Sequence, residues 1–454
     1  MRFLTTAALF SLFLLSACRK NPADAVQRAI RSGAAVELPA GEIHLSRPLT
    51  IPKGTKDLAI QGNPKGSTIV LDPGFAGRAA IEGESVSNVS FRYFSITGDR
   101  AGMKSAWALP RDGVAFADFY SANGIVIRGG SNIGVRGVSF SKIRAFPLLL
   151  NAVHGAAVDA VTIADCGTLN PDGHNNTTGG ILLEEGVKDF EITGSKISRI
   201  PGNAIWTHSY ANSPRQERGR IANNDITMVA RDAIQIGHAN RIRVENNRGS
   251  QIGFPVEYVD FPGYATPVAL DTSGNVDYTV YTGNTFTSVA GQCVDLDGFH
   301  DGMVSGNKCV NNPAEARNWL GLHFGILFGN HDPGMSSVNI SVTGNTLEGF
   351  AYGGVFLIGE RHRIEDNRFL DVNLAHCGSS PAPAKCAALP DQPDALRSGI
   401  YLATDGGRPA VTRGNIIRNN TVRGFGIAKH CIAAAKGVDL RANTIAGNTC
   451  QSAP

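Results

Sequence analysis

From Val36 onward the chain is written in short runs of alternating apolar and polar residues, broken by Gly, Pro or Asn. "VELPAGEIHLSRPLTI" is followed by "DLAIQGN" and "STIVLDPG". The pattern continues through "NGIVIRGGSNIGVRGVSF", "GGILLEEGVKDFEITGSKI", "DAIQIGHANRIRVENN", "CVDLDGFHDGMVSGN", "GGVFLIGERHRIEDN" and "SGIYLATDGG". Runs of this length and alternation predict strands closed by tight turns. No sustained helical period separates them, which argues against βαβ units. Ahead of the strands, Asn21 to Gly33 predicts one short amphipathic helix. Asn21 would cap it, Pro22 would take its first position, Asp24 its first turn, and Gly33 would stop it. Val26, Ala29 and Ile30 form its apolar face. A helix in that place would cover the open end of a stack of strands.

A Gly-Asn-x-apolar phrase recurs along the second half: Gly283-Asn284-Thr285-Phe286, Gly306-Asn307-Lys308-Cys309 and Gly344-Asn345-Thr346-Leu347. Variants stand at Asn223-Asn224, Asn246-Asn247, Asp366-Asn367, Asn419-Asn420 and Ala442-Asn443. The pairs Asn224/Asn247, Asn284/Asn307 and Asn420/Asn443 are 23 residues apart, and Asn345/Asn367 are 22 apart. Longer gaps are one coil plus an insertion. A period of this size predicts a solenoid whose units cannot fold alone. The repeated Asn suits left-handed backbone angles and a ladder of stacked amides.

This pattern resembles the right-handed parallel β-helix superfamily of pectin-lyase-like proteins, over about Val36 to Cys450. The resemblance implies an all-β, single-stranded right-handed parallel β-helix with a short N-terminal capping helix. Insertions interrupt the coils near Asp99–Asn123, Gly167–Thr178, Ser209–Arg218, Gly249–Ala265, Asn312–Gly321 and Leu374–Arg397. Binding function commonly sits on such loops.

Gly accounts for 53 of 454 residues, above the usual ~7%, with no Gly-X-Y period. A net charge of +3 and no basic stripe with aromatics argue against nucleic acid. Residues 1–18 read as an export signal: Arg2, an apolar run too short to span a bilayer, then Leu15-Ser16-Ala17-Cys18. That stretch resembles a bacterial lipoprotein signal and its lipobox, which implies lipid attachment at Cys18 and a cell-envelope location. Arg19-Lys20 in place of Asp then implies outer-membrane sorting in a Gram-negative host. Residues 19–33 are a linker and capping helix, and 34–454 the β-helix. Seven further cysteines remain, an odd number, so at least one stays unpaired within the chain. Cys377 and Cys386 flank a Pro-rich loop and form the most plausible pair.

Aligning the coils on one strand gives two outward columns. The first reads Val126, Leu149, Leu182, Trp206, Gln235, Ala269, Asp295, Leu327, Phe356, Tyr401. The second reads Arg128, Asn151, Glu184, His208, Gly237, Asp271, Asp297, Gly329, Ile358, Ala403. Ionisable residues gather in the middle coils. Asp271 and Asp297 are expected one coil apart at ~4.8 Å, and Asp295 and Asp297 ~6.6 Å apart along a strand. Carboxylates this close separate into an acid and a base. Asp295 and Asp297 are therefore the expected general acid and base, Asp271 their tuner, and His300 an assisting group. Glu184, Trp206, His208, Gln235 and His238 are the expected contacts to substrate.

The favoured function is a polysaccharide glycoside hydrolase, since a row of sites along a rod suits a polymer. The β-helix hydrolases related to polygalacturonase carry Asn-Thr-Asp and Arg-Ile-Lys strands, and neither occurs here. Alternatives are a polysaccharide lyase or epimerase, with Arg215, Arg218 or Arg231 entering from loops, and a non-catalytic glycan-binding or surface protein. No cofactor is required; the aspartates could hold Ca2+ through oxygen ligands. No zinc spacing, P-loop or Ser/His/Asp elbow is found.

Overall fold

The computed structural model describes residues 21–33, 35–100, 104–105, 110–260, 267–331 and 335–453. Cys18 and the export signal lie outside the described residues. The strands wind as successive three-sided coils. One coil runs through Ile181–Glu184, Lys188–Thr193 and Lys196–Ile200, and the next opens with Ile205–His208. Each side pairs in parallel with the same side of the next coil: Ile181 with Ile205, Phe190 with Gly219, Ile197 with Ile226. Among the described residues, the first two sides join in a sheet of 25 strands and the third forms one of 14. Glu185 and Gly186, both at positive φ, turn the chain between the first two sides.

Alternation along each strand sends one set of side chains inward. Ile125, Leu148, Ile181, Ile205, Ile234, Leu270, Val294 and Ile326 stack in register and are 1% exposed or less. Burying each such side chain stabilises the fold by about 1.5–3 kcal/mol.

The amide ladder is present, with its two tasks divided between neighbouring residues. Asn224, Asn247, Asn284, Asn307, Asn345, Asn367, Asn420 and Asn448 form the rungs. Asn284 shows the scheme: its Nδ2 donates to the Val244 carbonyl and to Asn307 Oδ1, each at 2.9 Å, while its Oδ1 accepts from Asn247. The residue before each rung takes the left-handed turn, with φ between +55° and +66°. The last coil differs from the sequence expectation. Asn420 stacks on Asn448, 28 residues on, whereas Asn443 belongs to a second, shorter ladder with Asn415. Toward the N-terminus the ladder ends at Ser195, and the same register position holds Val161, Val138 and Phe94.

The predicted helix is α1 (Pro22–Ser32), capped by the Asn21 side chain, with Val26 and Ile30 buried against the first coil. A four-residue helix, α2 (Phe116–Phe119), lies in the first long insertion. Disulfides join Cys377 to Cys386 and Cys431 to Cys450, while Cys166, Cys293 and Cys309 are buried thiols.

Candidate functional site

The pairing corrects one coil of the sequence alignment. Asp271 pairs with Gln235 on one side and Asp295 on the other, so it belongs to the first outward column, and Ser273 occupies the second. The strand is shifted by two residues because Thr272, not an aliphatic residue, takes an inward position. Its hydroxyl donates to the backbone carbonyls of Asp295 and Asp297 at 3.3 and 3.2 Å. Asp271 and Asp295 are thus direct cross-coil neighbours, ~4.8 Å apart at the backbone.

Four aspartates gather here. Asp271 is 6% exposed and accepts a hydrogen bond from Gln235 Nε2. Gln235 in turn accepts from Asn203 Nδ2 at 2.7 Å, so both ends of its amide are used. Asp295 is half-buried, and its Oδ1 is a buried oxygen with no hydrogen-bond partner. Asp232, fully buried at the start of the strand before, accepts from the Val268 N–H at 2.9 Å and lies 3.7 Å from Arg231 Nε. Asp297 accepts from the His331 N–H at 2.8 Å, and His331 Nδ1 lies 3.2 Å from the same oxygen.

Burial dominates the electrostatics. It drives the Asp295 carboxyl up to about 8, with the neighbouring charge of Asp297 adding to the rise. Asp271 is pushed well above the ordinary carboxylate range by burial, then by Asp232 and Asp295. Asp232 rises to about 6 through burial, opposed by Arg231. Desolvation and like charge act together in such a cluster, and the result is a carboxylic acid that keeps its proton at neutral pH beside others that can ionise.

The other expected site residues fall in two places. Glu184, Trp206 and His208 lie beneath α2. Glu184 is fully buried, and its oxygens accept from the N–H groups of Phe116 and Ala117 at 2.8 and 2.7 Å and from Asn151 at 3.0 Å. Burial lifts it to about 7. The Trp206 ring meets the Phe116 ring edge-on at 5.2 Å, and His208 lies 4.8 Å from Phe116. Burial, with His238 adding, holds His208 down to about 4. His238 is itself buried, at a bulge where the pairing register shifts. His300 stands past the turn at Gly298 and engages Asn275 at 3.1 Å and Asp301 at 3.2 Å. The imidazole beside Asp297 is instead that of His331, one coil on. Gly407 packs against its ring, where a Cβ would come within 2.6 Å.

Sequence reasoning missed Asp232 and Asn203, which precede the outward columns, and gave His331 no role. The first two stand one residue before the Ala that leads into their strand, a position where other coils carry residues as different as Asn123, Phe146, Val268 and Gln292, so no local pattern marks them. Among the described residues, the donors within 4.8 Å of one another are those of Glu184, Glu185 and His208, not those of the aspartates. Arg215 is tied to Asp277, and Arg218 to Asp189 and Glu217.

A family model described as a right handed beta helix region matches residues 267–453. No curated protein matches the chain. Two solved structures are similar at 12% identity each. The Dettilon tailspike protein gives a TM-score of 0.52 over 94% of this chain and 64% of its own, so this chain spans under two thirds of its length. The catalytic domain of a GH87 alpha-1,3-glucanase in complex with tetrasaccharides gives 0.51 over 95% and 67%. At that identity the likeness is one of fold.

Proposed function

We propose that this chain, a right-handed parallel β-helix of the pectin-lyase-like superfamily, is a glycoside hydrolase whose centre is the aspartate cluster of its middle coils. The observation that carries the reading is the half-buried Asp295 carboxyl beside Asp271 and Asp297, which holds its proton near neutrality and has one oxygen buried without a hydrogen-bond partner. A protonated carboxyl poised in this way suits donation to a glycosidic oxygen. Asp297, held by His331, suits the carboxylate role of stabilising the sugar cation or activating water. Burial first, then the charges of Asp297 and Asp232, hold the proton on Asp295, because negative charge nearby disfavours its ionisation. Gln235 orients Asp271. The glucanase that shares the fold carries tetrasaccharides, which is a property of that protein and a precedent for sugars on this architecture.

Export and a lipid anchor at Cys18 remain part of the proposal and place the enzyme in the cell envelope. The purified protein is to be screened for reducing-sugar release on neutral and acidic polysaccharides, beside Asp295→Asn. Release lost in the variant at unchanged fold supports the reading; equal release from both refutes it. Labelled palmitate found on the wild-type chain but not on Cys18→Ala tests the anchor.

A further inference from the structure

We infer that the cavity between the Asn312–Gly321 and Leu374–Arg397 insertions is a binding site for a small carboxylic acid with an apolar body, an alkyl or aryl carboxylate. The inference stands apart from the hydrolase reading above. The cavity encloses about 660 Å3, inside the ~300–1,000 Å3 of ordinary small-molecule sites. Trp319, Leu320 and Leu322 line it from the end of the first insertion, and Ala387, Ala388 and Leu389 from the second. Both walls are held by contacts of their own. The Trp319 ring stacks on His323 at 4.6 Å with 14° between the planes, and the Leu320 N–H donates to the Ala290 carbonyl at 2.7 Å. Across the cavity, the Cys377–Cys386 disulfide closes the second insertion, and the Tyr352 hydroxyl donates to the Lys385 carbonyl at 2.9 Å. The site therefore needs little ordering when a ligand arrives.

The polar groups of the lining select the ligand. His323 uses both ring nitrogens: Nε2 donates to the Val289 carbonyl and Nδ1 accepts from the Ala351 N–H, each at 3.0 Å. The Tyr352 hydroxyl is engaged by Lys385. The remaining polar side chains of the lining are those of Trp319 and Lys385. Lys385 is the one lining residue with a full charge, and its Nζ stands 6.0 Å from the centre of the Trp319 ring. A single cation above aliphatic and aromatic walls matches an anionic head on an apolar body. A plain sugar matches poorly, because most of its hydroxyls would face leucine and alanine without partners. An alkylamine would bring a second positive charge to Lys385, and an alcohol would gain the walls without the ion pair.

The test titrates the full chain with octanoate and with phenylacetate, beside octanol, octylamine and glucuronate, by calorimetry and tryptophan fluorescence. Both apolar carboxylates are expected to saturate one site and to bind about tenfold tighter than any of the other three. Lys385→Gln should bring octanoate down to the affinity of octanol. Ala388→Phe, which fills the cavity, should abolish binding of both carboxylates. Circular dichroism confirms that each variant is folded. No saturable binding of either carboxylate overturns the inference, as does octanol binding as well as octanoate, or glucuronate binding more tightly than both. Undiminished carboxylate binding in either folded variant puts the acid elsewhere on the protein and overturns it too.

Discussion

One column of outward positions leads two lives. Over Val126, Leu149, Leu182 and Trp206 it is apolar and sealed beneath α2; over Gln235, Asp271 and Asp295 it is polar and acidic. Along this column the backbone is alike in both stretches: parallel strands paired in register, with the one shift lying past it, between Gly237 and Ala239. What differs is the insertion above. Where a loop folds back, the column supplies apolar contacts, and the neighbouring outward column supplies a buried carboxylate, Glu184, that anchors the loop. Over the middle coils the column carries Gln235 and Asp271, both buried, and Asp295, half-buried. In a solenoid the coil fixes where a side chain stands, and the loops decide whether it supports packing or chemistry.

The contrast can be tested from its strongest point downward. Asp295→Asn is expected to cut turnover by about 10²–10⁴-fold, the range associated with a positioned acid. Thermal unfolding at neutral pH should stay level or rise, because a strained ionisable group is gone. Reducing-sugar assays and calorimetry on the same preparation check both halves. Trp206→Ala should do the reverse. Removing a large buried ring is expected to cost about 3–5 kcal/mol in urea unfolding while turnover per folded molecule holds. Lost sugar binding at full stability would make Trp206 a substrate platform instead.

The pH dependence separates the stretches further. Turnover should decline as pH rises through about 8, where Asp295 releases its proton. Glu184, under the cover, should affect stability. Its proton affinity is higher folded, at about 7, than in the ordinary range of 4.5. The stabilisation it gives is complete below the unfolded value and is lost as pH rises through the folded one. Melting temperature should therefore slope downward between those values, and Glu184→Gln should flatten that slope even though it lowers stability by disturbing the α2 cap. The smallest effect belongs outside both stretches: Arg218→Ala, which breaks an exposed pair with Asp189, should leave unfolding and turnover unchanged.

The architecture was legible because the turns need particular residues. A Gly, Asn or Asp at positive φ, followed by a rung Asn, marks a coil even when the strands vary. The signal is strong only past Ser195, since earlier coils fill the rung position with Val161, Val138 and Phe94, which pack without announcing a period. The site was legible in part. Asp295 and Asp297 follow from alternation alone. Asp271 was placed two residues out because Thr272 turns a hydroxyl inward, and an apolar count cannot see an inward Thr. His331 and the α2 cover depend on contacts between residues far apart in sequence, which no local pattern carries.

Each rung of the amide ladder offers the turn above it the same face that it receives from the turn below. A complete turn spliced in or out between Asn284 and Asn345 would leave every neighbouring rung with an identical partner, whereas a one-residue slip would reverse inside and outside along the strand. The rod can therefore change its length only in whole steps of ~4.8 Å, and such changes would carry the aspartate cluster toward or away from the apolar positions that flank it in the column.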